Sequence, residues 1–157
     1  MKKLLILTLL ISSSIFAHEF QYEVGSGDYI CSTHGRNQRP YLARANTKSN
    51  AMADALELCS QNWSQLNCQK NMQCEKTNEI GTVTYAVSRY TKDTDSNTEN
   101  IVIKANSSEK FTCNIQLGRL TALIKASNKI EAKAIAHLFC EDQGYFNNFC
   151  AKRVSDC

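Results

Sequence analysis

The strongest constraint on this chain comes from its eight cysteines, which form two sets of four with nearly equal spacing. Successive cysteines of the first set are 28, 9 and 6 positions apart, and those of the second set are 27, 10 and 7 positions apart. Two unrelated sets would rarely agree this closely, so the spacing predicts a tandem duplication with a period of about 82 residues. The cysteines are Cys31, Cys59, Cys68, Cys74, Cys113, Cys140, Cys150 and Cys157.

The even number of cysteines favours disulfides over metal or redox chemistry. No C-x-x-C pair occurs, and structural zinc, c-type haem attachment and thioredoxin-like sites all use such pairs. We therefore expect no metal and no cofactor. Four cysteines allow three pairings in each module, and the repetition favours bonds within a module. The expected pairs are Cys31–Cys74, Cys59–Cys68, Cys113–Cys157 and Cys140–Cys150.

The first residues predict export. Two lysines follow Met1, an apolar run covers residues 4–11, and small or polar residues lead to Ala17. This is the pattern of a secretory signal peptide cleaved near Ala17, and the run is too short to span a bilayer as a helix. No second apolar stretch reaches membrane length, so we expect a secreted or periplasmic protein without a transmembrane segment.

Periodicity predicts an α+β fold of two tandem β-β-α-β modules, stapled by disulfides, with mainly antiparallel sheet and one helix each. The boundaries are 1–17 for the signal peptide, 18–78 for module 1, 79–109 for inter-module strands and 110–157 for module 2. Strands are predicted at 29–32, 41–45, 110–116 and 120–126, and helices at 48–59 and 129–140.

Local signals place the helix ends and faces. Thr47 or Asn46 can cap the first helix, and Asn128 can cap the second with Glu131 as its capping-box partner. In the first helix, the apolar face is predicted at Met52, Ala55, Leu56 and Cys59. In the second helix, it is predicted at Ala132, Ile135, Ala136, Leu138 and Phe139, with His137 as a partly buried neighbour.

The inter-module segment contains two predicted strands, 81–90 and 100–105, around the polar loop 92–99. They would either form a hairpin that bridges the copies or each join one module's sheet. Residues 20–24 are a possible counterpart of 100–105 in the first copy.

Net charge and motifs exclude several functions. Without Lys2 and Lys3 the chain has 16 basic and 15 acidic residues, which disfavours nucleic-acid binding. No catalytic Ser/His/Asp, H-E-x-x-H or G-x-S-x-G pattern occurs. The histidines are His18, expected to be disordered, His34 and His137.

The candidate ligand-binding residues are His34, Arg36, Arg39, Tyr41, Arg44 and Trp63. Three arginines beside an aromatic residue would suit a carboxylate or phosphate, although a solvated basic loop is the simpler interpretation. Trp63 and the pair Tyr145 and Phe146 follow the two helices, where they would either plug the core or form an exposed recognition tip.

The run from Ala45 to Cys59, with two more cysteines after it, resembles small secreted bacterial domains of unknown function that have an alanine-rich helix ending in cysteine. The resemblance covers roughly 30 residues of each copy, and it implies a strand–helix–strand module and export, without an activity.

We therefore predict an exported, non-catalytic binding protein of the periplasm or extracellular space, for example a hydrolase inhibitor. Its partner would be a protein or an anionic envelope ligand. The alternative is a small secreted hydrolase with an unmarked acid/base site near His34. A deep pocket that holds His34 with a carboxylate would favour the hydrolase, and an exposed aromatic ridge would favour the binding protein.

Overall fold

Eight strands and four helices occupy the residues that the computed structural model describes, 19–77, 81–106 and 109–157. The predicted signal peptide, its cleavage site and His18 lie outside them. The first half, 19–77, contains β1 (Gln21–Gly25), β2 (Tyr29–His34), β3 (Pro40–Ala45), α1 (Lys48–Ser60), α2 (Gln65–Lys70) and β4 (Gln73–Lys76). The second half, 81–157, contains β5 (Val83–Asp93), β6 (Thr98–Ala105), β7 (Phe111–Leu117), β8 (Leu120–Ala126), α3 (Lys129–Asp142) and α4 (Asn147–Arg153). The fold is α+β, as predicted.

A small antiparallel sheet forms most of the first half, with strand order β3-β2-β4. The α1 helix packs against it through Ala51 and Ala55, which are fully buried together with Cys31. Cys31 on β2 stands directly opposite Cys74 on β4 in the ladder. The disulfide between them therefore clips the outer strand β4 to the middle of the sheet.

The larger sheet is mixed, with strand order β1-β5-β6-β8-β7. Its β5 and β6 form a hairpin that lies between β1 of the first half and β8 of the second half, so the hairpin bridges the two halves within one sheet. All pairs are antiparallel except β6 with β8. That pair runs parallel because the chain reverses direction twice between them, once before β7 and once before β8. The strand β8 then lies between β6 and β7 in the sheet.

Capping side chains begin both long helices. Thr47 Oγ1 accepts a hydrogen bond from the Asn50 amide at 3.2 Å, and Asn128 Oδ1 accepts one from the Glu131 amide at 2.9 Å. The expectation that Glu131 completes a capping box is wrong, because its carboxylate binds Arg44, Tyr85 and Ser127 instead.

The predicted face of α1 is confirmed at Ala55 and Cys59, which are buried, and Leu56 is half-buried. The prediction is wrong at Met52, which is 38% exposed, and it omitted Ala51, which is buried. The helix lies close to the sheet, and alanine permits that approach where the longer Met52 would not fit. On α3, the predicted residues Ala132, Ile135, Ala136, Leu138 and Phe139 are all buried.

Each half has a second short helix, α2 or α4, where one helix was expected. The second half also ends without the last strand of the predicted β-β-α-β order. After Cys150 the chain continues as helix through Ala151, Lys152 and Arg153, which are good helix formers, and its basic residues favour the helix C-terminus. Cys157 follows one turn later and reaches β7 through its disulfide.

The described residues include all eight cysteines, and these form the four expected pairs with none free: Cys31–Cys74, Cys59–Cys68, Cys113–Cys157 and Cys140–Cys150. The main core lies between the large sheet and α3, and Ile30 and Leu42 of the first half contribute to it. No helix in the described ranges is long and apolar enough to span a membrane.

Candidate functional site

A cleft of about 260 Å³ lies where the small sheet of the first half meets α3 and α4 of the second. We call it the histidine cleft because His34 of the first half and His137 of the second half both line it. The full lining is Ser32, His34, Gln38, Pro40, Asn71, Gln73, Ile130, Lys133, Ala134, His137, Ala151, Val154 and Ser155. Neither half supplies this cleft alone.

Regular periodicity brings these side chains to one place. Ser32 and His34 are two positions apart on β2, so they share a face of the strand. On α3, the lining residues Ile130, Lys133, Ala134 and His137 follow the i, i+3, i+4, i+7 pattern of a single helix face. The strand β2 and the helix α3 can each be predicted from the sequence, but the cleft exists only because they pack against each other.

His137 is a neutral, buried histidine at this site. It is 3% exposed, and its Nε2 lies 3.4 Å from Asn147 Oδ1 and 3.6 Å from Glu141 Oε1. Burial lowers the pKa of His137 below its ordinary value of 6.5, the hydrogen bond to Asn147 opposes that shift, and the nearby charges of His34 and Arg39 add to it. The imidazole is therefore uncharged at neutral pH.

His34 is oriented by the backbone. Its Nδ1 lies 2.9 Å from the carbonyl oxygen of Gly35, which can only accept, so Nδ1 carries the proton. Asn71 Nδ2 donates to the carbonyl oxygen of His34 at 3.1 Å and holds the end of β2 against the segment after α2. In the neutral ring, Nε2 is left as an acceptor.

This arrangement lacks the partners of a nucleophilic site. Among the described residues that line the cleft there is no carboxylate, and no described hydroxyl or thiol is hydrogen-bonded to either histidine. All eight cysteines are held in disulfides. Glu141 contacts His137 but lines the neighbouring groove. A hydrolase that works from His34 needs an acidic partner beside that histidine, and the described wall supplies none.

A second depression, of about 570 Å³, adjoins the cleft across His137 and Asn147. We call it the aromatic groove, and Glu19, Phe20, Gln21, Tyr22, Arg39, Leu138, Glu141, Asp142, Tyr145, Phe146 and Asn147 line it. Phe146 is 86% exposed at its edge. Arg39 reaches over from the first half, with its Nε 3.3 Å from Glu141 Oε2.

Partial burial and the charge of Arg39 act in opposite directions on the pKa values of two groups in the groove. Burial raises the pKa of Glu141 above its ordinary value, and the positive charge of Arg39 opposes that shift. Burial also raises the pKa of the Tyr22 phenol, again opposed by Arg39. Arg39 is therefore the cation that holds both groups at the boundary between the halves.

The six residues predicted to bind a ligand do not form one cluster. His34 lines the histidine cleft, Arg39 lines the aromatic groove, and Arg36 lines a shallow depression with Trp63. Tyr41 is half-buried on β3 opposite Thr33. Arg44 is buried in an ion pair with Glu131, which removes it from any surface site.

The residues after the two long helices differ between the halves. Trp63 is half-buried against Gly35, where it acts as a plug, and Tyr145 is half-buried in a stack on Phe149 with ring centroids 4.9 Å apart. Phe146, in contrast, is an exposed tip. Lys133, Tyr22 and the placement of His137 in the cleft were missed in the sequence, although the spacing of Ile130, Lys133, Ala134 and His137 is a helix-face signal.

Comparison with models of protein families, with curated proteins and with solved structures finds no match to this chain.

Proposed function

We propose that this chain is an exported, non-catalytic binding protein that holds a protein partner at the aromatic groove. The observation that carries the proposal is the exposure of Phe146 beside a half-buried tyrosine and an arginine. Aromatic residues and arginine are the side chains enriched at the energetic centres of protein interfaces. Covering one phenylalanine is worth about 1.5–3 kcal/mol.

The tip that carries Phe146 is rigid, which lowers the entropic cost of binding. Cys140–Cys150 ties the end of α3 to α4 on either side of the tip. Tyr145 stacks on Phe149, and the guanidinium carbon of Arg153 lies 4.9 Å from the centre of the Phe149 ring. A preorganised aromatic side chain loses little conformational freedom on association.

Export is supported by the signal-like N-terminal sequence and by the disulfides. Eight paired cysteines are typical of proteins that fold in an oxidising compartment, the periplasm or the extracellular space. A hydrolase inhibitor is one form that such a binding protein would take.

We also infer that the two halves descend from one duplicated module. The disulfides support this inference, because each half has one long clip and one short clip, with sequence separations of 43 and 9 in the first half and 44 and 10 in the second. The order strand, strand, long helix, short helix also recurs.

The test is an affinity capture from envelope and culture-medium extracts with the oxidised mature protein, followed by calorimetry with each purified partner. Phe146→Ser should weaken binding of the true partner at least about tenfold, the equivalent of about 1.4 kcal/mol. Leu66→Ser is the matched control, because Leu66 is 63% exposed on α2, away from the groove. Equal binding by the Phe146→Ser variant and the wild type would refute the proposal.

A further inference from the structure

We propose that the histidine cleft is a binding site for a small organic carboxylate, separate from the partner surface at Phe146. The carboxylate would lie at Lys133, near the side-chain amides of Gln38 and Gln73, and its hydrocarbon part would face Ile130, Ala134 and Val154. The site combines a positive charge, hydrogen-bond donors and an apolar wall in one cleft. It does not depend on the aromatic groove having a partner.

The charge of the cleft favours an anion. Lys133 and the two histidines are the ionisable side chains that line it in the described part of the chain, and none of these is acidic. Arg39 adds a further positive charge close to His137. Glu141 is the facing negative group, and Arg39 already binds it at 3.3 Å. A carboxylate that enters the cleft therefore meets a net attractive field.

Donors remain available for such a ligand. Lys133 Nζ donates to the Ser155 carbonyl oxygen at 3.2 Å, and an ammonium group has two further protons. The neutral ring of His34 adds no donor, because its Nδ1 proton is bound to the Gly35 carbonyl oxygen and its Nε2 is an acceptor. Gln38 and Gln73 add side-chain amides to the lining.

The size and the wall limit the ligand to a small molecule. A volume of about 260 Å³ is slightly below the range of about 300–1,000 Å³ that is usual for drug-sized ligands. Ile130, Ala134, Ala151 and Val154 supply the apolar side of the wall. A short-chain organic acid matches this combination better than inorganic phosphate, which has no apolar part to place there.

The test is calorimetry of the oxidised mature protein with butyrate, butyramide and inorganic phosphate at neutral pH. Butyrate should bind saturably, and butyramide should not bind. Lys133→Gln should weaken butyrate binding at least about tenfold. A tenfold change equals about 1.4 kcal/mol, and a hydrogen bond to a charged group contributes about 1.5–3 kcal/mol. Lys133→Arg should retain binding.

Lys129→Gln is the matched control, because Lys129 is an exposed lysine one turn earlier on α3 and does not line the cleft. Circular dichroism and thermal midpoints confirm that each variant is folded. The proposal is overturned if the Lys133→Gln variant binds butyrate like the wild type, if butyramide binds equally well, or if phosphate binds more tightly than butyrate.

Discussion

Arg44 on β3 and Glu131 on α3 form a fully buried ion pair that joins the two halves, although 87 positions separate them in the sequence. Arg44 Nε donates to Glu131 Oε1 at 2.7 Å, and Arg44 also donates to the Thr77 and Ser127 hydroxyls. The other oxygen of Glu131 accepts from Tyr85 and Ser127. A buried charge pair survives only when its hydrogen-bonding groups are satisfied in this way.

Replacing Glu131 by Gln should strongly destabilise the protein, because Arg44 would keep its buried positive charge without the compensating carboxylate. Removing one partner of a buried pair costs about 3–5 kcal/mol. Guanidinium unfolding of the oxidised protein measures the change in the free energy of unfolding. The double variant Arg44→Met/Glu131→Leu should recover most of the loss, and if it is as unstable as the single variant, the burial argument is wrong.

The matched control is Glu109→Gln at the surface. Glu109 binds Lys125 at 2.9 Å, and both side chains are about one-third exposed. Exposed pairs contribute about 0–1 kcal/mol. A loss at Glu109 as large as the loss at Glu131 would show that burial does not decide the cost.

The stability of the protein should fall as the pH drops below about 6.5. The pKa of His137 is lower in the folded chain than its ordinary value of 6.5, chiefly because of burial. The unfolded chain therefore takes up a proton first as the pH falls, and stability is lost from pH 6.5 down to the folded pKa. As the pH falls further, towards the ordinary value of 4.5 for a glutamate, the raised pKa of Glu141 acts in the opposite direction.

Urea unfolding at intervals between pH 5 and pH 8 checks this dependence. His137→Leu, which copies Leu56 at the equivalent position of α1, should flatten the curve in that window. If the free energy of unfolding of the variant changes with pH as steeply as that of the wild type, a group other than His137 causes the pH dependence.

The long and short disulfides should differ in their effect on stability. In the chain-entropy model, the Cys31–Cys74 bond, with a separation of 43, contributes about 4.0 kcal/mol, and Cys59–Cys68, with a separation of 9, contributes about 2.6 kcal/mol. Paired alanine variants of each bond, compared by chemical unfolding, should therefore differ by about 1.4 kcal/mol. Equal losses would indicate that the loop length does not govern the effect.

Gly35→Ala should destabilise the first half through Trp63. A Cβ added at Gly35 would lie 2.2 Å from Cγ of the indole, so either the ring or the loop must move. Overpacking of this kind costs about 1–3 kcal/mol. Because Trp63 is the single tryptophan of the chain, its fluorescence reports the displacement directly. Arg36→Ala, at the exposed neighbouring position, should leave the stability unchanged, because it removes an exposed side chain without adding an atom against the indole.

Local features of the fold followed from the sequence. The long helices begin at Lys48 and Lys129, directly after the caps Thr47 and Asn128, and β8 has the predicted bounds. Caps and periodicity involve residues only a few positions apart, so they can be recognised directly in the sequence. The buried face of α1 was predicted correctly at Ala55 and Cys59 and wrongly at Met52, because hydrophobicity alone does not reveal that close helix–sheet packing selects Ala51 over Met52.

The candidate site was only partly accessible to prediction. His34 and Arg39 were identified, and they line the cleft and the groove respectively. Arg44 was grouped with Arg36 and Arg39 as a candidate ligand-binding residue, yet its side chain on β3 is buried in the core. Its direction depends on a carboxylate in the other half, and no local pattern records that partner.

The sequence by itself determined the repeated cysteine spacing, the α+β class and the positions of most strands and helices, because these depend on spacing, caps and periodicity along the chain. Only the tertiary structure decided that the inter-module hairpin joins the larger sheet and that β6 and β8 run parallel. It also decided that His34 and the face of α3 that contains His137 line the same cleft. Those features depend on which distant surfaces fit together. The Arg44–Glu131 pair shows the physical reason most directly, since each charge is tolerable in the core only because packing brings the other to it.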